Sequence, residues 1–192
     1  MSSNCQANLS EFEKMRLGLI YSAYDEELLK KRRRALILLD KFNAYIPGDS
    51  QKTIDIAREL LGSIGENTAI MPRFACDYGE NISIGSNCYI NYNCVVLDCA
   101  NVTIGDNVLI GPNCGIYTAI HPLDSKTRLQ GLEIAKPIII KDGVWLGGNV
   151  VILPGVTIGE KSVIGAGSVV TKNIPDHVLA YGNPCRVIKS LI

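Results

Sequence analysis

Two residues of this 192-residue chain carry an imidazole, His121 and His177. Imidazole is the side chain best suited to exchange a proton near neutral pH. His121 stands in Tyr117-Thr118-Ala119-Ile120-His121-Pro122, where an apolar pattern gives way to a polar stretch. An exposed histidine at the edge of a rigid element can serve as a general base; the alternative is one that only steadies the loop. His177 follows Pro175-Asp176 in an expected turn, where a plain surface role is the reading. Of the 7 cysteines, Cys88, Cys94 and Cys114 fall inside the apolar pattern, and no CxxC pair or Cys/His cluster is present. Reduced thiols, a cytoplasmic location and no metal site are therefore expected. A β-helical zinc hydratase would need about three histidine ligands, which two scattered histidines do not supply.

These groups must be held by something regular, and the regularity has a period of six. Isoleucine, leucine or valine recurs at Ile64 and Ile70, at Ile84, Ile90 and Val96, and at Ile104, Ile110 and Ile116. It resumes at Ile140, Leu146, Ile152, Ile158, Ile164 and Val170. Six is too long for strand alternation and misses the helical repeat of about 3.6. It suits a three-walled prism in which each hexad makes one wall and its first residue points into the core, each coil burying that residue by stacking on its neighbours. Gly, Asn and Asp in Ile84-Gly85-Ser86-Asn87 and Ile104-Gly105-Asp106-Asn107 suit the corners. Ile64 to Ile84 and Ile84 to Ile104 are 20 residues apart, Ile140 to Ile158 only 18, so the early coils carry two extra corner residues.

The repeat stops between Ile116 and Ile140, and residues 122–137 are expected to leave the wall as an extruded, functional loop. Residues 1–62 read as a helical cap. One helix is expected over Glu11–Tyr21, weakened by Gly18. A second starts at Asp25 and uses Leu28, Leu29, Leu36, Leu39 and Phe42 up to about Tyr45, with Pro47-Gly48 ending it. A third is capped by Ser50 and stopped by Gly62. Residues 63–175 read as the coil and 176–192 as a tail over its last turn. The run Lys30-Lys31-Arg32-Arg33-Arg34 reads as a solvated helix face rather than a polyanion site. With 19 basic and 19 acidic residues there is no bulk attraction to nucleic acid. No signal-peptide stretch, and no apolar run near the roughly 18 residues of a membrane span, is present, so no membrane partner is expected.

Longer motifs carry a resemblance. They are Phe74-Ala75-Cys76-Asp77-Tyr78-Gly79-Glu80-Asn81-Ile82, Asn91-Tyr92-Asn93, Tyr117 to Pro122, Val144-Trp145-Leu146-Gly147-Gly148, Val156-Thr157-Ile158-Gly159 and Gly182-Asn183-Pro184-Cys185-Arg186-Val187-Ile188. In this order they resemble the maltose and galactoside O-acetyltransferases, a branch of the hexapeptide-repeat acyltransferases. The resemblance implies an all-β solenoid, a left-handed parallel β-helix with an N-terminal helical segment and an extruded loop. It implies direct transfer of acetyl from acetyl-CoA to a sugar hydroxyl, with His121 as general base and no metal. Asp77, Asn91 and Asp98 fall at its acceptor positions, where the plain alternative is an ordinary wall or corner residue. A backbone N–H near Gly147-Gly148 would face the oxyanion. Trp145, Gly148, Ala166, Thr171, Lys172, Arg186 and Lys189 fall at its acetyl-CoA positions, with Gly167 beside Ala166 in the pantetheine slot. It further implies a homotrimer with sites between subunits. Ala23 stands where galactoside enzymes carry an acidic contact, with Asp25 nearby, and Asp77 matches the maltose type. The acceptor is therefore expected to be maltose or glucose, the alternatives being an antibiotic or other xenobiotic hydroxyl, or a binding solenoid without catalysis.

Overall fold

The computed structural model describes residues 9–44 and 50–192. Each hexad forms one short strand, and three walls result. Strands Ser63–Ile64, Ile82–Ile84, Val102–Ile104, Ile138–Ile140 and Thr157–Ile158 stack in parallel as the first wall. Ala69–Ile70, Tyr89–Ile90, Leu109–Ile110, Trp145–Leu146, Val163–Ile164 and Val178–Gly182 form the second. Ala75–Cys76, Val95–Leu97, Gly115–Tyr117, Val151–Ile152 and Val169–Val170 form the third. The fold is a parallel β-solenoid of about six turns.

Register follows the hexad. Ile64, Ile84, Ile104, Ile140 and Ile158 pair in sequence up the first wall, and Ile70, Ile90, Ile110, Leu146 and Ile164 up the second. Ile138, Ile140, Leu146, Ile152, Ile158, Ile164 and Val170 are fully buried. Asn67, Asn87 and Asn107 turn one corner, and Asn93, Asn113 and Asn149 another, all in the left-handed region with φ between 56° and 61°. Asn tolerates that backbone better than most residues. The amides also ladder: Asn67 Nδ2 donates to Asn87 Oδ1 at 3.3 Å and Asn93 Nδ2 to Asn113 Oδ1 at 3.2 Å. His177 occupies a corner too, at φ 54°. The thiols of Cys88, Cys94 and Cys114 donate to carbonyls of the next coil, those of Gly105, Gly111 and Gly147.

The N-terminal segment differs in detail from expectation. Helix α1 spans Glu11–Arg16, opened by a reciprocal Ser10/Glu13 capping box. It stops short of Tyr21 because Gly18 takes φ 70°, and the chain instead enters a strand at Tyr21–Ser22. Helix α2 spans Glu26–Ala44, with Asp25 Oδ1 accepting from the Glu27 N–H at 2.9 Å. Its buried stripe is Leu28, Ala35, Leu38, Leu39 and Phe42; Leu29 and Leu36, expected inward, lie on the outer face. The expected stop at Pro47-Gly48, and the cap by the Ser50 side chain, lie outside what is described. Helix α3 spans Ser50–Leu60. Ala35, Leu38, Leu39, Phe42, Ala57 and Leu60 join Ile70, Phe74 and Ile82 in one apolar cluster, so α2 and α3 close the first coil. The basic run of α2 is less free than expected: Lys31 pairs with Glu80 at 2.9 Å, Arg32 Nε donates to Tyr78 Oη at 3.0 Å, and Arg34 reaches the Glu59 carbonyl.

At the far end the coil runs on past residue 175. Ile174 bridges Ile158, Ala180 pairs with Ile164, and only Cys185–Ser190 folds back, antiparallel to Val178–Gly182. Among the described residues no helix is long and apolar enough to cross a membrane.

The inward positions should dominate stability. Ile140→Ala is expected to cost about 2–5 kcal/mol, whereas Ile139→Ala, whose side chain is 41% exposed one residue away, should cost below about 1 kcal/mol. Urea denaturation of both variants checks this; equal losses would mean that the hexad phase is misassigned.

Candidate active site

The break in the repeat is a small sheet rather than an irregular loop. The outgoing strand Ala119–Ile120 pairs antiparallel with the returning strand Leu132–Ala135, and on the other side of the returning strand lies Tyr21–Ser22. A four-residue helix α4, Ser125–Arg128, turns the chain between them, capped by Asp124 Oδ2 on the Thr127 N–H at 2.8 Å. His121 follows the outgoing strand directly, and Glu133 sits in the middle of the sheet, paired across to Tyr21.

Those three residues form a chain of contacts. The His121 side chain is 60% exposed and its Nδ1 lies 3.7 Å from Glu133 Oε1. Glu133 Oε2 accepts a 2.6 Å hydrogen bond from the Tyr21 hydroxyl. Tyr21 is 1% exposed, and burial above all, then the neighbouring Cys99 and Glu133, pushes its phenol well above the ordinary range. The phenol therefore keeps its proton and donates. Glu133 was not legible as a site residue in the sequence; its trace is the apolar–polar alternation of Leu132-Glu133-Ile134, which marks a strand with one face buried.

The network continues toward the expected acceptor residues. Cys99 Sγ donates to Asp77 Oδ2 at 3.4 Å. The Asp77 carboxyl is raised by burial, against the Cys99 hydrogen bond and the charge of Arg32, which lower it. Asp98 is not a direct contact for a ligand, contrary to expectation, because it is fully buried. Its Oδ1 accepts from the Asp77 and Tyr78 amides at 3.0 and 2.9 Å, and its Oδ2 from the Asn81 amide at 3.3 Å. Burial pushes this carboxyl up to about 6 even so. Asp98 thus shapes the turn that presents Asp77.

The other expected residues lie elsewhere on the coil. Asn91 is half-buried in the corner after the second wall, its Oδ1 accepting from the Tyr92 amide at 2.8 Å. Gly111 and Gly147 follow it in that corner, where coils approach so closely that a Cβ on Gly147 would come within 2.6 Å of the Ala166 nitrogen. The Gly147 amide is already donated to the Ile164 carbonyl. Trp145 is 53% exposed on the second wall, between Leu109 and Val163. Ala166, Gly167, Thr171, Lys172, Arg186 and Lys189 are all exposed on the last coils and the final strand Cys185–Ser190, while Gly148 is half-buried. Among the described residues, no hydrogen bond joins Asn91 or these distal residues to the His121 network. Ala23 is buried, and the Asp25 carboxylate caps α2. No group of three His, Cys, Asp or Glu side chains among the described residues is arranged to hold a metal ion.

Comparison with known proteins fits this arrangement. Residues 14–65 match the model of the maltose acetyltransferase hexapeptide capping motif, and residues 137–172 that of the bacterial transferase hexapeptide of six repeats. A crystal structure of a maltose O-acetyltransferase from Clostridium difficile 630 superposes with a TM-score of 0.94 at 48% identity, over 96% of this chain and 98% of that one. A galactoside acetyltransferase in complex with coenzyme A gives a TM-score of 0.92 at 43% identity, over 96% and 92%. A hexapeptide-repeat acetyltransferase from Vibrio cholerae, complexed with acetyl-CoA, gives 0.89 at 42%, over 96% and 100%. The chain belongs to the maltose and galactoside O-acetyltransferase family. It is an acetyltransferase of that type, and the repeats it shares with the family fit a left-handed β-helix.

Within this O-acetyltransferase, Asp98 offers a direct test of how the wall supports the site. Asp98→Asn keeps the two amides on Oδ1 but sets an NH₂ group against the Asn81 N–H. Leaving a buried donor unpaired costs about 1–3 kcal/mol. Denaturation of the Asn variant is expected to show a loss in that range; an unchanged midpoint would mean that the clamp does not hold the turn.

Proposed function

We propose that this acetyltransferase moves acetyl from acetyl-CoA to a hydroxyl of a neutral sugar of the maltose or glucose kind, in one ternary complex, with His121 as general base. The observation that carries the reading is an exposed imidazole at the break of a rigid coil, with Nδ1 turned toward a carboxylate. The acetyl donor is acetyl-CoA. A hydroxyl is a poor nucleophile while it holds its proton. With Nδ1 facing Glu133, Nε2 is the nitrogen left to take that proton as the oxygen attacks the thioester carbonyl. Two electrons of the new C–O bond come from the hydroxyl; the tetrahedral carbon collapses by breaking its bond to sulfur, and CoA leaves as thiol on receiving the imidazolium proton. An oxyanion forms in between, and a fixed N–H donor stabilises it more than water does. The Gly148 amide suits that task better than Gly147's, which the coil already uses.

On the donor side Trp145, Gly148 and Ala166 border the path of the pantetheine arm. Thr171, Lys172, Arg186 and Lys189 supply hydroxyl and cationic groups for its phosphates. On the acceptor side, Asp77 and Asn91 are short polar groups of the kind that bond sugar hydroxyls. The separation of the His121 network from the donor residues within one chain supports sites shared between subunits of a homotrimer, the flat second wall packing on the three-fold axis. The resemblance to a maltose O-acetyltransferase and a galactoside acetyltransferase supports a sugar acceptor rather than a xenobiotic one.

His121→Ala should lower thiol release from acetyl-CoA by about 10²–10⁴-fold, with melting temperature and acetyl-CoA affinity unchanged. The assay is run with maltose, glucose and galactosides beside hydroxylated antibiotics. Turnover of the variant within a few-fold of the parent would remove His121 as base, and turnover of the antibiotics alone would remove the sugar.

A further inference from the structure

The base sits on an exposed loop, yet a base must be held in place to act; what holds it is not on the loop. Glu133, the carboxylate beside His121 Nδ1, lies on the returning strand and is itself held by a hydroxyl from the N-terminal segment 112 residues earlier. We infer that Tyr21 is a positioning residue for the acetyl transfer: its hydroxyl fixes the Glu133 carboxylate, which in turn orients the His121 imidazole, so that docking of the N-terminal segment sets the base. This inference rests on the reading of His121 as base.

Four observations carry it. First, Tyr21 and Glu133 are direct cross-strand partners, and their side chains meet on one face of the small sheet. Second, the contact is built in. Tyr21 packs with Met15, Ala23, Leu28, Tyr78, Cys99, Ala100 and Ala135 in a core separate from that of the coil. Its ring cannot move without disrupting that core, so the hydroxyl is a fixed donor. Third, Glu133 divides its oxygens: Oε2 takes the phenol at 2.6 Å and Oε1 faces His121 at 3.7 Å. With one oxygen pinned, the other cannot rotate away from the imidazole. The remaining gap is longer than a hydrogen bond, and in unliganded sites such gaps commonly tighten when substrate binds. Fourth, the segment that carries Tyr21 is tied down on both sides. Ser22 donates its amide to Glu11 of α1, and Ala23 donates its amide to the Gly131 carbonyl of the loop at 2.9 Å.

The N-terminal segment therefore does two separate jobs. Helices α2 and α3 close the first coil, as any solenoid end requires. The stretch from α1 to Ala23 adds a third strand to the catalytic hairpin and supplies the hydroxyl that the loop lacks. Asp77, Tyr78, Cys99 and Arg32 also lie around this network; Cys99 contacts the Tyr21 hydroxyl, and none of the four donates to Glu133.

The test is a double-mutant cycle on the full chain. Tyr21→Phe removes only the hydroxyl. It is expected to lower kcat on the order of tenfold, with KM for acetyl-CoA unchanged. Glu133→Gln should lower kcat at least as much, because a neutral amide no longer stabilises the imidazolium that forms as the proton is taken. Tyr21→Phe combined with Glu133→Gln should be no slower than Glu133→Gln alone, since the phenol acts through the carboxylate. Losses that multiply across the two sites would overturn the inference. So would a Tyr21→Phe enzyme that melts lower but keeps the parent's kcat per folded chain, which would make Tyr21 a packing residue only. His121→Ala separates the two levels: if it retains full activity, the base assignment fails whatever Tyr21 does. If it is inactive while Tyr21→Phe turns over at the parent's rate, only this inference fails.

Discussion

A coil of this kind completes the burial of its inward residues by stacking on the coils above and below. Ile140 has no strand partner within its own turn; its backbone neighbours are Ile104 on one side and Ile158 on the other. That constraint makes the walls rigid, because no strand can shift without exposing a column of isoleucines. It also means that an insertion must leave the column and return in register. The passage from Ile104 to Ile140 spans 36 residues where a regular coil spans 18, yet the two pair directly. Everything inserted in between is held outside the prism.

An excursion from such a wall would be loose if it relied on itself. Here it is not left to itself. The returning strand is sandwiched between the outgoing strand and Tyr21–Ser22, and a second small core forms under it from Met15, Tyr21, Leu28, Tyr78, Cys99 and Ala135. The wall contributes as well: Asp98, inside the coil, gathers three backbone amides around the turn that carries Asp77. A buried carboxylate is tolerable there because amide donors replace the water it loses. Acetyl transfer needs a base, acceptor contacts and a donor cleft fixed relative to one another, and the coil provides that frame.

Much of this was readable from residue order. The hexad phase names one inward residue on each wall; the residue two positions before it, such as Val108, Val144 or Val150, is buried as well and does not follow from the isoleucine spacing. The break at His121 is visible because the next hexad positions after Ile116 carry Pro122 and Arg128 in place of an aliphatic residue. What escaped was set by distant partners. Tyr21 reads locally as a helix end, since nothing near it in sequence shows that its strand partner lies beyond residue 130. Glu133 read as one more polar loop residue for the same reason. Leu29 and Leu36 were assigned inward because both stripes of α2 are apolar, and only packing on Phe74 and Ile82 selects the one with Ala35 and Leu38. Asp98 read as a surface contact because type and motif position do not reveal burial; its apolar neighbours Val96, Leu97 and Cys99 were the available sign.

The proposed reaction passes acetyl directly from acetyl-CoA to a sugar hydroxyl on this scaffold. Mass spectrometry of a single-turnover reaction tests it most directly, with enzyme in excess over labelled acetyl-CoA, before and after addition of maltose. Direct transfer gives no acetylated protein at any time, and O-acetylated sugar appears only after the acceptor is added. Label on the protein before the sugar arrives, or no acetylated sugar after it, would contradict it.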